Sequence, residues 1–222
     1  NQNWINILTV FDKYEGWIDK KMHFELDEEI QHHFLNKKPF VNAQNINIYE
    51  NRELLFPLTV LPGSNLFFGK SNYSFEIQDK LYYIKEEEKI ELTAYGSNDI
   101  IFIAKRFLNA PYLWGGRTPY GIDCSGFTQT VNKICNIKLP RDASQQVELG
   151  ETIDFIDEVK QGDLAFFDNQ DGNIVHVGII LEDSRIIHAS GKVRIDQLDH
   201  QGIFNREINE YSHKLRIIKR IL

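Results

Sequence analysis

Cysteine is scarce in this chain: only Cys124 and Cys135 occur in 222 residues. They stand eleven positions apart on what reads as one helix, roughly 16 Å along its axis at ~1.5 Å per residue. That separation exceeds disulfide reach, and two thiols make a poor metal site. One reactive thiol and one small buried hydrophobe are expected, with no metal and no cofactor. A Lys/Arg-rich block is also missing, and the net charge is −7. Both argue against nucleic acid or an anionic membrane surface as a partner. No apolar run approaches the roughly 20 residues of a spanning helix, so no membrane span is expected. The run Glu86-Glu-Glu-Lys89 reads as a solvated face or turn. Internal repeats and low-complexity segments are absent. The chain opens on Asn1-Gln-Asn-Trp4 without an initiator Met or a signal peptide, so a mature or trimmed form is expected.

What is present is a soluble, globular composition, 42% hydrophobic and 26% charged, long enough for one large or two small domains. The first ninety-odd residues carry short alternating runs. Ile5 to Val10, Gly16 to Asp19 and Leu81 to Ile84 read as strands of a small β domain. Val60-Leu-Pro-Gly-Ser64 is a turn signal, and Asp27 to Asn36 reads as a short helix ended by Pro39. The composition changes near Thr93. Ser97 or Asn98 can cap a helix to about Leu108, with Ile100, Ile101, Ala104, Phe107 and Leu108 on one face. After the breaker-rich loop Asn109 to Gly116, a second helix is expected from Cys124 to about Asn136. A third is expected to be capped by Asp142 and to reach about Leu149. Strands follow at Gly162 to Phe167, Ile174 to Leu181, Ile186 to Ala189 and Leu215 to Ile221. Helices first and strands after give an α+β half with an antiparallel sheet.

The richest stretch is Gly121-Ile-Asp-Cys-Ser-Gly-Phe127. It sets Cys124 at a helix start, where the dipole and a histidine partner are expected to lower the thiol pKa. A buried structural cysteine fits the local pattern equally well. Gly115, Gly116, Gly121 and Gly126 let backbone approach a ligand, and amides at this turn can form an oxyanion hole. His176 lies in the apolar run Ile174 to Ile180. If Glu182-Asp-Ser184 is a three-residue hairpin loop, Gly178 pairs with His188, and His176 becomes its diagonal neighbour on the same face. His176 then serves as base and His188 orients it. A two-residue loop would put the rings on opposite faces. Pro140-Arg-Asp-Ala-Ser144 opens a helix where Arg141 and free amides can hold a carboxylate, though an ordinary cap fits as well. Trp114 either walls a pocket or is core. His23, His32, His33, His200 and His213 have no constellation around them and read as surface or capping residues.

Six ordered motifs carry a resemblance: Tyr112-Leu-Trp-Gly-Gly116, Asp123-Cys-Ser-Gly-Phe127, Leu139-Pro-Arg-Asp-Ala-Ser-Gln145, Gly162-Asp-Leu-Ala-Phe-Phe167, His176-Val-Gly-Ile179 and Ile187-His-Ala-Ser-Gly191. Together they resemble the NlpC-type cysteine peptidases, bacterial enzymes of papain-like fold that cut cell-wall peptides. The resemblance implies a peptidase domain over 94–222 of α+β class, with helices packed on an antiparallel sheet. It implies Cys124 as nucleophile, His176 as general base, His188 as the orienting member and Tyr112 near the oxyanion site.

Asn3 to Ile7 and Tyr14 to Ile18 look like the closing part of a bacterial Src-homology-3-like barrel. A β-barrel region is therefore expected over 1–93, with an incomplete first barrel at about 1–36 and a second at about 40–93. This arrangement is similar to the γ-D-glutamyl-L-diamino acid peptidases, or dipeptidyl-peptidase VI. In those enzymes the barrel narrows the cleft, so that a peptide with a free N-terminal L-Ala fits. The resemblance implies a murein peptide substrate, with Asp123, Ser125 and the Arg141-Asp142-Ala143 helix start near it and Tyr14 near the substrate amine; Trp114, beside the glycines, is a candidate substrate-binding residue. It implies cleavage before L-Lys or meso-diaminopimelate, by a monomer in the periplasm or secreted. The alternatives are an amidase or acyltransferase of the same fold, or a non-catalytic cell-wall binding module.

Overall fold

A computed structural model describes residues 3–50, 57–67, 74–77, 80–84 and 95–221. The acidic run at 86–89, the composition change near residue 93 and parts of the expected second barrel lie outside the described residues. The chain divides into two compact units, Asn1–Ala94 and Tyr95–Leu222.

The first unit opens with a hairpin of β1 (Trp4–Leu8) and β2 (Glu15–Asp19), in register from Trp4 opposite Asp19 to Leu8 opposite Glu15. Helix α1 (Glu28–Asn36) follows, capped by Asp27, whose Oδ1 accepts the Ile30 N–H at 2.8 Å. Six short strands come next: β3 (Phe40–Val41), β4 (Ile46–Glu50), β5 (Leu58–Val60), β6 (Asn65–Leu66), β7 (Ser74–Ile77) and β8 (Lys80–Tyr83). β3 pairs with β6, and the other four form a sheet in the order β5-β4-β8-β7. Among the described residues these three sheets do not join into one barrel. Ile46, Ile48, Leu66 and Ile84 form a small core, with Phe40, Val60 and Tyr82 packed on it. The turn at Leu61-Pro-Gly63 needs glycine, with φ of +83° at Gly63. Buried Asn42 holds this turn, since its Nδ2 donates to the Leu61 carbonyl at 3.2 Å.

The second unit begins with α2 (Ile100–Lys105), entered through a turn in which the Gly96 N–H donates to Asp99 Oδ2 at 2.8 Å. The cap is thus Asp99, not Ser97 or Asn98. A two-stranded ribbon, β9 (Arg117–Thr118) and β10 (Gly121–Ile122), leads into α3 (Cys124–Ile134) and the short α4 (Ala143–Gln146). The strands are β11 (Glu151–Ile153), β12 (Leu164–Asp168), β13 (Ile174–Leu181), β14 (Arg185–Ser190), β15 (Lys192–Leu198), β16 (Gly202–Asn205) and β17 (Glu210–Arg220). β12 through β17 run antiparallel in sequence order. β17 pairs with both β12 and β16, closing six strands into a barrel, while β11 adds to the same long β17.

Closure follows from the pattern of side chains. Ala165, Phe167, Ile180, Ile186, Leu198, Ile203 and Ile218 make one cluster inside the barrel. The alternate residues Leu164, Phe166, Val177, Ile179 and Ile187 are equally buried on the other face. α3 covers that second face, packing on β13 and β14. It is buried along nearly its whole length, and Phe127 meets Phe107 edge-on at 6.0 Å. α3 therefore starts beside the β13 end that carries His176. No described helix is long and apolar enough to cross a membrane.

Candidate active site

The nucleophile turn is built by its neighbours. Asp123 caps α3: its Oδ1 accepts the Gly126 N–H at 2.6 Å and its Oδ2 the Gly115 N–H at 2.8 Å. Gly115 stands at φ +78°. Arg141 grips the same carboxylate with both arms of its fork, at 3.0 and 2.6 Å, and also donates to Ser125 Oγ at 2.9 Å. Asp123, Ser125 and Arg141 are all buried. A side chain on Gly116, Gly121 or Gly126 would meet neighbouring loop atoms, so these glycines bring segments of the turn together.

Cys124 Sγ lies 4.0 Å from the Val175 carbonyl and is also reached by the Val177 N–H, so it sits against the backbone on both sides of His176. The expected lowering of its pKa is not found. Burial pushes the thiol up and the Asp123 carboxylate adds to this, while the amides of Val177, Ser125 and Cys124 offset only part. Cys135 is also buried, which pushes its thiol up to about 12 and makes it inert.

The hairpin has the three-residue loop: Leu181 pairs with Arg185 and Gly178 with His188. His176 Nε2 and His188 Nδ1 meet at 2.8 Å, their rings edge to face. The next hairpin repeats the geometry. Ile186 pairs with Asp196, so His188 is diagonal to Asp196, and His188 Nε2 lies 3.0 Å from Asp196 Oδ2. Arg194 closes the row, with Nη2 donating to Asp196 Oδ1 at 3.0 Å and Nη1 to Glu207 at 2.9 Å. His213 stacks on His176 with centroids 4.0 Å apart and planes 24° apart. Burial, then the His213 and His188 rings, hold His176 well below the ordinary imidazole range. Burial, then His188, bring His213 down to about 4.

His213 is therefore part of the constellation, contrary to its expected isolation. Asp196 and Arg194 were missed as well, although Lys192-Val-Arg-Ile-Asp-Gln-Leu198 alternates as a strand should. The ring nitrogens of His176, His188 and His213 lie within 4.8 Å of one another. The 2.8 Å pair is closer than the about 3.3 Å expected of two nitrogens on a tetrahedral zinc, and the stacked rings do not converge. The geometry suits a hydrogen-bonded His176–His188 pair with His213 stacked beside it better than a metal centre.

Of the other expected site residues, Tyr112 is half-buried. Its hydroxyl pKa is raised by burial and then by the charges of Cys124 and Asp123. Trp114 is 85% exposed and contributes nothing to the core. Asp142 precedes α4, its N–H donating to Gln145 Oε1 at 3.3 Å, and Ala143 is buried in the first turn. Tyr14 is exposed in the first unit, its N–H bonded to Thr9 Oγ1 at 2.9 Å.

A helix-borne cysteine set against an antiparallel barrel that carries two joined histidines is the papain-like arrangement. Residues 109–210 match the model of the NlpC/P60 family, and this part of the chain is an NlpC/P60 domain. The chain is 33% identical over 184 residues to a gamma-D-glutamyl-L-lysine dipeptidyl-peptidase of Bacillus subtilis (strain 168), covering 79% of this chain and 60% of that protein. It is 36% identical over 127 residues to a protein of the same name from Bacillus cereus (strain ATCC 10987 / NRS 248), covering 55% and 37%. The chain thus spans less than two thirds of the length of both relatives. Its fold matches the crystal structure of an NlpC/P60 family protein from Bacillus cereus ATCC 10987, with a TM-score of 0.80 at 24% identity, over 100% of this chain and 77% of that one.

Proposed function

We propose that this chain is a cysteine peptidase that hydrolyses the γ-D-glutamyl bond to an L-diamino acid in murein peptides and releases L-Ala-γ-D-Glu. The buried His176–His188 pair at 2.8 Å beside Cys124 carries this reading. L-Lys is taken as the leaving residue because the two relatives above are named for γ-D-glutamyl-L-lysine.

Cys124 is a neutral thiol at rest, so its proton passes to His176 as Sγ attacks the γ-carbonyl carbon of D-Glu. Amides of the α3 start, with the nearby Tyr112 hydroxyl, stabilise the oxyanion. Collapse to the thioester breaks the C–N bond, and protonated His176 gives its proton to the leaving amine. Water then attacks the thioester, loses a proton to His176 and restores the thiol. His188 orients the His176 ring throughout. Asp123 and Arg141 hold the turn rigid, and the Arg141-Asp142-Ala143 segment, Ser125 and Trp114 border the substrate. Selection for a free N-terminal L-Ala is assigned to residues 1–93, the region that resembles a Src-homology-3-like domain in sequence. The enzyme acts on cell-wall fragments outside the cytoplasm.

Hydrolysis of L-Ala-γ-D-Glu-L-Lys by the wild type and by Cys124→Ala tests the assignment. Loss of at least about 10³-fold in kcat is expected, in line with removal of a nucleophile. An active Cys124→Ala enzyme would sink it.

A further inference from the structure

We propose that Asp196 is a positioning residue that decides, through His188, which nitrogen of His176 is left free to take the Cys124 proton. The inference deepens the reading of the site given above and rests on it. Its starting point is that the three groups form one row with a fixed direction.

A carboxylate only accepts hydrogen bonds. Burial pushes the Asp196 carboxyl up, but hydrogen bonds from His188 and Arg194 outweigh it and bring the group below its usual range. Arg194 Nη2, at 3.0 Å, keeps the charge in place. Asp196 Oδ2 is 3.0 Å from His188 Nε2, so that nitrogen must carry a proton. A neutral His188 then presents a bare Nδ1, which can only accept. His176 Nε2, 2.8 Å away, must be the donor. A neutral His176 is left with its lone pair on Nδ1. Nδ1 is also the ring nitrogen nearer the main chain, and Cys124 Sγ sits against the main chain at Val175 and Val177. The acceptor atom of the base is therefore the nitrogen on the main-chain side of the ring, where Cys124 Sγ meets the Val175 and Val177 backbone.

Without the carboxylate the row can run backwards. His188 would hold its proton on Nδ1 and donate to His176 Nε2. The proton of His176 would then sit on Nδ1, where it blocks transfer from the thiol. His213 stays outside the row, because its Nδ1 lies 2.9 Å from Ser212 Oγ and it meets His176 by stacking alone. It fixes the plane of the base ring and leaves the row's direction to Asp196.

The test uses the full chain labelled with ¹⁵N-histidine, in which imidazole shifts distinguish Nδ1–H from Nε2–H. In the wild type at pH 7, His188 and His176 are both expected as Nε2–H tautomers. In Asp196→Asn the amide group turns its carbonyl to Arg194 and its NH₂ to His188, and His188 is expected to become Nδ1–H. kcat should fall about 100-fold with KM within about threefold. This is less than the roughly 10⁴-fold of the analogous carboxylate-to-amide change in Ser-His-Asp hydrolases, since the group here is one ring further from the nucleophile. A wild-type His188 protonated on Nδ1 overturns the proposal, and so does a folded Asp196→Asn enzyme with kcat within twofold of wild type. Should that variant not fold, the wild-type tautomers alone decide. Expected tautomers in a wild type that leaves the γ-glutamyl tripeptide intact would refute the substrate assignment and support the row.

Discussion

At Cys124 two opposing effects meet, and their balance sets how the site works. The helix start and its amides favour a thiolate, while burial and the neighbouring Asp123 carboxylate oppose it. Opposition wins, so the thiol lies above its ordinary range and His176 lies well below its own. Both shifts favour the uncharged thiol and imidazole over a preformed thiolate–imidazolium pair. The sign gives a direct expectation. A raised thiol pKa leaves little thiolate at neutral pH, so alkylation of Cys124 by iodoacetamide should be slow at pH 7. Its rate should still be climbing above about pH 8.5, the free-thiol value. A rate already at its plateau at pH 7 would contradict the balance. The sequence motif singled out Cys124 as the candidate nucleophile but misled on its charge, because burial at the turn depends on the Arg141 and glycine contacts around it.

Among the elements, the β13–β14 hairpin decides whether two histidines meet. The sequence left two registers open, and the one found has the three-residue loop over Glu182-Asp-Ser184, which puts both rings on one face. Gly178 is the empty place opposite His188. A Cβ there would lie 2.7 Å from Ile186 Cδ1 and 2.9 Å from His188 Cβ, inside any real contact distance. Gly178→Ala is therefore expected to push His188 off His176 and lower kcat by at least about tenfold. It should also destabilise the fold by about 1–3 kcal/mol, as overpacking does, read from denaturant unfolding. An unchanged kcat would show that the hairpin does not set the pair. β15 was readable too, from its alternation, and reading it would have placed Asp196 beside His188. His213 was not readable. Its position depends on bulges where β17 pairs with β12, between Phe166 and Phe167, and with β16, between Ile203 and Phe204. A one-residue slip of this kind reverses which face a side chain occupies, and nothing local marks it.

On the scale of the whole molecule, the second unit owes its shape to closure of a six-stranded barrel around one apolar cluster. Local patterns announced four of the six barrel strands, β12, β13, β14 and β17, and all three helices. They could not announce that β17 returns to seal β12 against β16, since that pairing joins segments far apart in sequence. At one end the apolar lining gives way to His176, His188, Asp196 and His213, so the relay is held by the same strands that hold the core. In the first unit the β1–β2 hairpin, α1 and the turn at Gly63 also follow the local signals. The selectivity proposed for that unit concerns the substrate's N-terminus. The most direct measurement of the central claim is a mass analysis of products from two defined substrates, L-Ala-γ-D-Glu-L-Lys with its free amine and the same peptide capped by N-acetylmuramic acid. The account predicts L-Ala-γ-D-Glu and L-Lys from the free peptide, with the capped form left intact. Release of the intact tripeptide from the capped form, or no cleavage of the free one, would contradict it.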